Sequence, residues 1–284
     1  MTAQITDTTG RIVFLGCGSM NEAVLAGLLA TGTAAANVTA TVRRSERAEE
    51  LRSRYEGLTV LAENEDAHAN IKAVEGAALV VLGVKPVGIV DLCRSIASAL
   101  SPHTLVLSVA AAVTIATMEA ALPEGQPLVR TMPNTPLKVG RGAVGLSAGS
   151  NVTEEQLAAA AAVFSGAGTT VIVPEENLDA VSAISGSGPA YAFYLAEAMA
   201  QAGVKLGLDP ELAMVLARDT VAGAGAMLAQ DGADPAALRK AVTSPNGTTE
   251  RAIAAFDEAG LPDIIAAGAR AAAERAAEIS RELA

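Results

Sequence analysis

The sequence predicts an α/β protein: a doubly wound, mostly parallel sheet with helices on both faces, then an all-helical half. Three observations point there. Up to residue 173, short β-branched runs alternate with helix-length segments, the pattern of successive βα units. After Pro174 no strand pattern recurs, and Gly and Pro punctuate a series of helix-length segments with apolar faces. Finally, the glycine-containing turn Gly16-Cys17-Gly18-Ser19-Met20 falls where the first strand gives way to the first helix. Folds of this class bind ligands there.

The elements follow in order. RIVFLG (11–16) reads as a buried strand and SMNEAVLAGLLATG (19–32) as a helix ending at Gly32. NVTATV (37–42) is a second strand and SERAEELRSRYEG (45–57) a polar helix. LTVLA, ALVVLGV, TLVLSV, PLVRTM and AVGLSA supply further strands between helix-like or turn-rich pieces. Residues 150–168 form a helix with Thr153 or Asn151 as the cap, and TTVIV (169–173) closes the first half. Helices are expected near 176–184, 189–206, 210–230, 234–242, 248–259 and 262–282. The division into 1–173 and 174–284 follows from these patterns.

Composition narrows the function. Of 284 residues, 51% are hydrophobic and only 2% aromatic, so the core is built from Ala, Val, Leu and Ile. A net charge of −11 argues against nucleic acid or an anionic membrane as partner, and an anionic ligand would need a local positive site. Two cysteines, Cys17 and Cys93, give no disulfide framework, which suits the cytoplasm. The first ten residues lack the pattern of a secretory leader. No apolar run approaches the roughly 20 residues of a membrane span.

The first chemical motif is the glycine turn. Gly16 permits the tight turn and Gly18 lets a pyrophosphate approach the backbone. Ser19 and Met20 open the helix whose free N–H groups attract an anion. The third glycine of the usual dinucleotide fingerprint is replaced by Asn21, so an ordinary βα turn is the alternative reading. At the end of the second strand stand Arg43, Arg44 and Ser45 instead of the acid that holds the ribose of NAD. Arginines and a hydroxyl suit the 2′-phosphate of NADP, unless they are simply solvated. Val84-Lys85-Pro86 and Ala110-Ala111 follow later strands at the edge where ligands bind. Lys85 either contacts the cofactor or faces water. Asn134, between two prolines, offers a donor and an acceptor, and equally suits a turn.

The helical half holds two more motifs. SGSGPAY (185–191) opens a long helix, with Ser187 or Gly188 as cap and Pro189 in its first turn. TSPNGTT (243–249) sets four hydroxyls around a Pro245-Asn246-Gly247 turn, just before a new helix. Free N–H groups there, with the Ser244 hydroxyl, could hold a carboxylate without any arginine. A well-capped helix–helix turn is the alternative.

Taken together in this order, GxGxM, VKP, RxMPNTP, SGSGPAY and TSPxGTT resemble pyrroline-5-carboxylate reductase over essentially the whole chain. The resemblance implies a Rossmann-like amino-terminal domain and a helical carboxyl-terminal dimerisation domain. It implies NADPH-dependent reduction of (S)-1-pyrroline-5-carboxylate to L-proline, with NADH as the alternative reductant. The protein is then a cytoplasmic homodimer, with further assembly as in other family members, and no metal is expected. The family pattern assigns cofactor contacts to Gly16, Gly18, Ser19, Met20, Arg43, Arg44, Ser45, Asn70, Val84, Lys85, Pro86, Ala110 and Ala111, and Asn134 joins them as a cofactor contact on its own chemistry. It assigns the substrate to Ser244, Gly247, Thr248 and Thr249, with the Thr249 hydroxyl on the imine nitrogen. Asn246 stands where the family has glycine, and segment 63–69 is lengthened before Asn70. Two rival functions remain: a reductase of the β-hydroxyacid dehydrogenase type, for which Lys205 or Lys240 would be the acid/base, and a non-catalytic NADP-binding scaffold.

Overall fold

A computed structural model describes residues 10–283. The expectation about an amino-terminal leader falls almost entirely outside that range. One compact unit runs to Gly186 and takes in the chain from Ala272 onward, and a second spans Ser187–Ala271. The expected boundary near residue 173 coincides with the end of the last strand, whereas the compact units part at residue 186.

The first unit is built on an eight-stranded sheet of order β3-β2-β1-β4-β5-β6-β7-β8. Its strands are β1 (Arg11–Leu15), β2 (Val38–Val42), β3 (Thr59–Ala62), β4 (Ala77–Leu82), β5 (Leu105–Ser108), β6 (Leu128–Met132), β7 (Gly142–Ala148) and β8 (Gly168–Ile172). Every neighbouring pair is parallel except β6 and β7. Successive side chains of a strand point to opposite faces, so a strand covered on both sides must be apolar throughout. In β1, Ile12 and Phe14 enter one core and Val13 and Leu15 the other; in β4, Leu79 and Val81 oppose Val80 and Leu82 in the same way.

Helices fill both faces, as the alternating pattern predicts. On one lie α1 (Ser19–Ala30), α2 (Ser45–Arg54) and α6 (Glu154–Ala162), with Leu25, Leu28, Leu51 and Ala160 buried. On the other lie α3 (Ala69–Val74), α4 (Ile89–Ile96) and α5 (Ile115–Glu119), with Val74, Ile89, Ile96 and Met118 buried. Thr153 caps α6 in a reciprocal capping box with Gln156.

The expected helix near 176–184 is not continuous. It consists of a 3₁₀ turn at Glu175–Asn177, α7 (Leu178–Val181) and a π-helical turn at Ser182–Gly186. Side chains of β6 and of the loop after it bond into this segment. Asn134 Nδ2 donates to the Ser185 carbonyl at 3.0 Å, and a side chain bonding into a helical ladder opens it locally. Buried Arg130 pairs with Glu175 at 3.0 Å and approaches Asp179 at 4.0 Å. Glu175 Oε1 also accepts the Ile115 N–H at the start of α5.

The second unit contains α8 (Gly188–Lys205), α9 (Pro210–Leu228), α10 (Pro235–Ala241), α11 (Thr248–Glu258) and the first part of α12 (Leu261–Glu282). Helices α8 and α9 form a hairpin whose contact is made by small residues. Ala200, Ala213 and Ala217 are buried, and a Cβ on Gly203 would come within 3.1 Å of that of Ala213. Among the described residues of α8 to α11 these three alanines are the whole buried set, while Phe193 and Tyr194 are 70% and 72% exposed. An apolar surface of that extent on one chain marks an association surface.

Candidate active site

The order of the sheet reverses between β1 and β4, so their carboxyl ends diverge into a crevice. Gly16 takes φ +70° there, and a Cβ on it would meet Val84 Cγ1 at 2.7 Å. Only glycine fits both demands at once. Its N–H donates to Thr41 Oγ1 at 3.2 Å, and the Cys17 N–H donates to the Thr41 carbonyl at 2.7 Å, which ties the turn to β2. Beyond its chain neighbours, no atom of the described residues lies nearer than 4.0 Å to the position a Cβ on Gly18 would take, so its backbone is open to a ligand. Helix α1 follows directly, with Gly18 as its cap residue.

Asn21 replaces the packing glycine with a polar tie. It is buried, and its Nδ2 donates to the Leu15 carbonyl at 3.2 Å and the Val81 carbonyl at 3.5 Å, spanning the ends of β1 and β4. The demand for glycine passes to Gly83, where a Cβ would strike the Asn21 amide at 2.2 Å. Its Oδ1 has no hydrogen-bond partner among the described residues.

A cleft of about 870 Å³ opens at this edge. It gathers Gly16, Arg43, Arg44, Asn70, Val84 and Lys85 from the predicted set, and adds Arg47, Glu63, Gly83 and Asp91. Arg43, Arg44 and Lys85 are exposed and make no ion pair among the described residues, so their charges remain available. Arg47 is committed: it pairs with Glu22 and, at 2.8 Å, with Glu50. Glu22 also takes Arg54 and the Tyr55 hydroxyl. Burial works against its ionisation, but the hydrogen bonds and charges of Arg47 and Arg54 prevail and hold its carboxyl below the usual range. The local positive site required in an acidic chain is therefore present.

Asn70 reaches the cleft despite the lengthened segment before it, because its Oδ1 accepts from Thr41 Oγ1 at 2.6 Å. Ser45 starts α2 beside the arginines, and its Oγ accepts from Asn64 Nδ2 at 3.1 Å. Ser19, Met20, Pro86, Ala110 and Ala111 flank the cleft in sequence but are not among its lining residues. Ala110 is buried and Ala111 exposed, on the loop after β5 where Ala112 is held at φ +65°. Asn134 is buried as a structural tie: besides Ser185 it accepts the Ala143 N–H at 2.9 Å. Both ends of the amide are thus engaged by segments distant in sequence, a role neither a local turn nor a cofactor contact describes. Glu63 and the tie made by Asn21 escaped the sequence reading, since each depends on segments distant in the chain.

The substrate-loop residues lie in the second unit. Asn246 adopts φ +57°, a left-handed conformation that asparagine tolerates. Gly247 is extended instead, and a Cβ there would strike the Ser244 carbonyl at 2.9 Å. Glu250 reaches back to the Asn246 N–H at 2.8 Å. No acceptor among the described residues takes the N–H groups of Thr248 and Thr249, at the start of α11, or the hydroxyls of Ser244, Thr248 and Thr249. The turn thus presents a cluster of uncommitted donors at a helix N-terminus. Lys205 ends α8, Lys240 lies in the last turn of α10, and both are exposed.

Fold and cleft define a class: oxidoreductases in which a dinucleotide-binding doubly wound unit is joined to a helical unit. Residues 11–112 match the family model described as "NADP oxidoreductase coenzyme F420-dependent", and residues 175–279 match "Pyrroline-5-carboxylate reductase dimerisation". The chain is 40% identical to the pyrroline-5-carboxylate reductase of Pseudomonas aeruginosa, over 97% of this chain and 99% of that one. It is 39% identical to the Mycobacterium tuberculosis H37Rv protein of the same name, over 95% and 96%. A solved pyrroline-5-carboxylate reductase from Coxiella burnetii superposes with a TM-score of 0.88 at 33% identity, covering 95% of this chain and 98% of that one. The protein belongs to the pyrroline-5-carboxylate reductase family. No helix among the described residues is long and apolar enough to cross a membrane.

The cysteines yield a prediction. Burial, with the Glu22 charge adding and Arg47 opposing, pushes the Cys17 thiol up to about 12, and burial pushes Cys93 to about 12 as well. The thiolate is the reactive form, so at pH 8 both thiols stay protonated and inert while the protein is folded. A maleimide titration should label neither in the native protein and both in urea. Native labelling at the denatured rate would contradict the burial argument.

Proposed function

We propose that the protein reduces (S)-1-pyrroline-5-carboxylate to L-proline with NADPH, NADH being the alternative reductant, as the final step of proline biosynthesis. The observation that carries this reading is the 243–249 turn: an anion site made of hydroxyls and free N–H groups, in a chain of this family, with no histidine or cysteine beside it. Residues 1–173 bind the cofactor. Residues 174–284 bind the substrate and form a homodimer, which assembles further, through the exposed apolar surfaces of α8 and α9. The enzyme works in the cytoplasm and engages neither nucleic acid nor membrane.

The residues of the cleft fit a dinucleotide. The open backbone at Gly18 and the start of α1, with Ser19 and Met20, take the pyrophosphate. Arg43, Arg44 and Ser45 take the 2′-phosphate, and Asn70 the adenosine. Val84, Lys85, Pro86, Ala110 and Ala111 line the remainder, and Asn134 holds the frame behind them. When bound, the nicotinamide supplies the hydride for the C=N carbon, and the protein contributes orientation and polarity.

The chain's own residues do the rest. The N–H groups of Thr248 and Thr249 and the Ser244 hydroxyl hold the substrate carboxylate, across the close approach that Gly247 permits. The Thr249 hydroxyl donates to the ring nitrogen of the neutral imine, or accepts from its N–H where the imine is already protonated. A threonine hydroxyl is too weak an acid to surrender its proton unaided. The nitrogen is therefore protonated before binding, or by water through Thr249. The β-hydroxyacid dehydrogenase reading is weakened because neither Lys205 nor Lys240 stands in a motif of that chemistry, and the scaffold reading because the 243–249 turn keeps its donors free among the described residues.

Two predictions follow from these assignments. Arg43→Ala/Arg44→Ala should lower kcat/KM for NADPH, with a loss of about 1–3 kcal/mol, and change NADH use little. Equal use of both cofactors by the unaltered enzyme would refute the 2′-phosphate assignment. Thr249→Ala should lower kcat and kcat/KM together, since its bond strengthens in the transition state, and Thr249→Ser should retain most activity. Ser244→Ala should chiefly raise KM for the imine. A reduced melting temperature with unchanged kinetics in Thr249→Ala would leave that residue a mere helix cap.

A further inference from the structure

The acid missing from the end of β2 is replaced from the neighbouring strand. Glu63 follows β3, and its N–H donates to the Val42 carbonyl at 2.8 Å, while the Asn64 N–H donates to the Arg43 carbonyl at 3.1 Å. The end of β3 is thereby fastened beside the two arginines, and Glu63 lines the same cleft as Arg43, Arg44 and Asn70. Its carboxylate makes no hydrogen bond or ion pair with any described residue, and neither guanidinium does. Two cations and an anion thus face one end of the cleft, none neutralised by another.

These groups make opposite demands on a ligand. An ionised carboxylate is acceptor-only, so it suits the 2′- and 3′-hydroxyls of an adenosine ribose. It repels a 2′-phosphate, which the guanidinium groups attract. Building on the NADPH reading above, we propose that Glu63 is a specificity-determining residue for the cofactor. Its carboxylate accepts the ribose hydroxyls of NADH and weakens the hold on the 2′-phosphate of NADPH. The cleft therefore accepts both dinucleotides, with Arg43 and Arg44 tilting the balance.

Isothermal titration of the full-length protein with NADP⁺ and NAD⁺ tests this without turnover. Glu63→Gln keeps the shape and removes the charge. It should tighten NADP⁺, weaken NAD⁺ and raise the ratio of their dissociation constants by about tenfold, which is about 1.4 kcal/mol. Glu63→Asp, which keeps the charge, should stay nearer the unaltered ratio. If both nucleotides bind and the ratio in Glu63→Gln stays within twofold of the original, Glu63 has no such role. If neither nucleotide binds the unaltered protein, the cofactor reading itself falls, and this inference with it.

Discussion

The carboxyl ends of β1 and β4 must separate with almost nothing between them, and the functional half of the first unit depends on that close approach. Val84 leaves no room for a side chain on Gly16, and the Asn21 amide leaves none on Gly83. Asn21 answers both strand ends at once by donating to Leu15 and Val81. A buried amide that meets two carbonyls fixes their separation more sharply than apolar contact does, because displacing it would leave polar groups unpaired. The turn at Gly16 to Gly18, the start of α1 and the crevice all inherit their positions from this junction.

The helical unit meets the opposite problem. Its own core is a line of alanines between α8 and α9, too small to offset the ordering of five helices. What such a unit lacks inside it must find outside, and the exposed rows of Phe193, Tyr194, Leu206 and Ile264 are where apolar area remains to be buried. The match of residues 175–279 to a dimerisation family fits that need. Small residues serve the hairpin, because they let two helices approach closely enough for dispersion to act along the whole contact.

Much of this was legible in the sequence, where the signal was local. Period-2 and period-3.6 patterns, Gly32 as a helix stop and Thr153 as a cap depend on near neighbours, and the strands and long helices lie where those patterns put them. What escaped was made by contact at a distance. Asn21 looked like a lost packing glycine because its compensation, Gly83, lies just past the end of β4. The broken helix at 175–186 is shaped by Asn134 and Arg130, about 50 residues earlier. Glu63 carries no motif of its own, and only the pairing of β3 with β2 brings it beside Arg43.

A chain of net charge −11 that takes anionic ligands needs local exceptions to its own field. The two units make them differently. In the cleft, exposed and unpaired Arg43, Arg44 and Lys85 face solvent, so their attraction is long-ranged and weakened by salt. Arg47 is withheld from that set by Glu22 and Glu50, which keeps the local charge modest. At the 243–249 turn the uncommitted groups are backbone N–H groups and hydroxyls of Ser244, Thr248 and Thr249. Backbone N–H groups and hydroxyls act only within hydrogen-bond distance, and they stay in place because the turn's backbone is fixed by Asn246 and Gly247. Glu250, one residue beyond Thr249, adds a negative charge that would oppose a loosely held anion. A dinucleotide carrying several charges suits the first arrangement. A small ring with a single carboxylate suits the second, where shape and donor geometry rather than charge decide what is held.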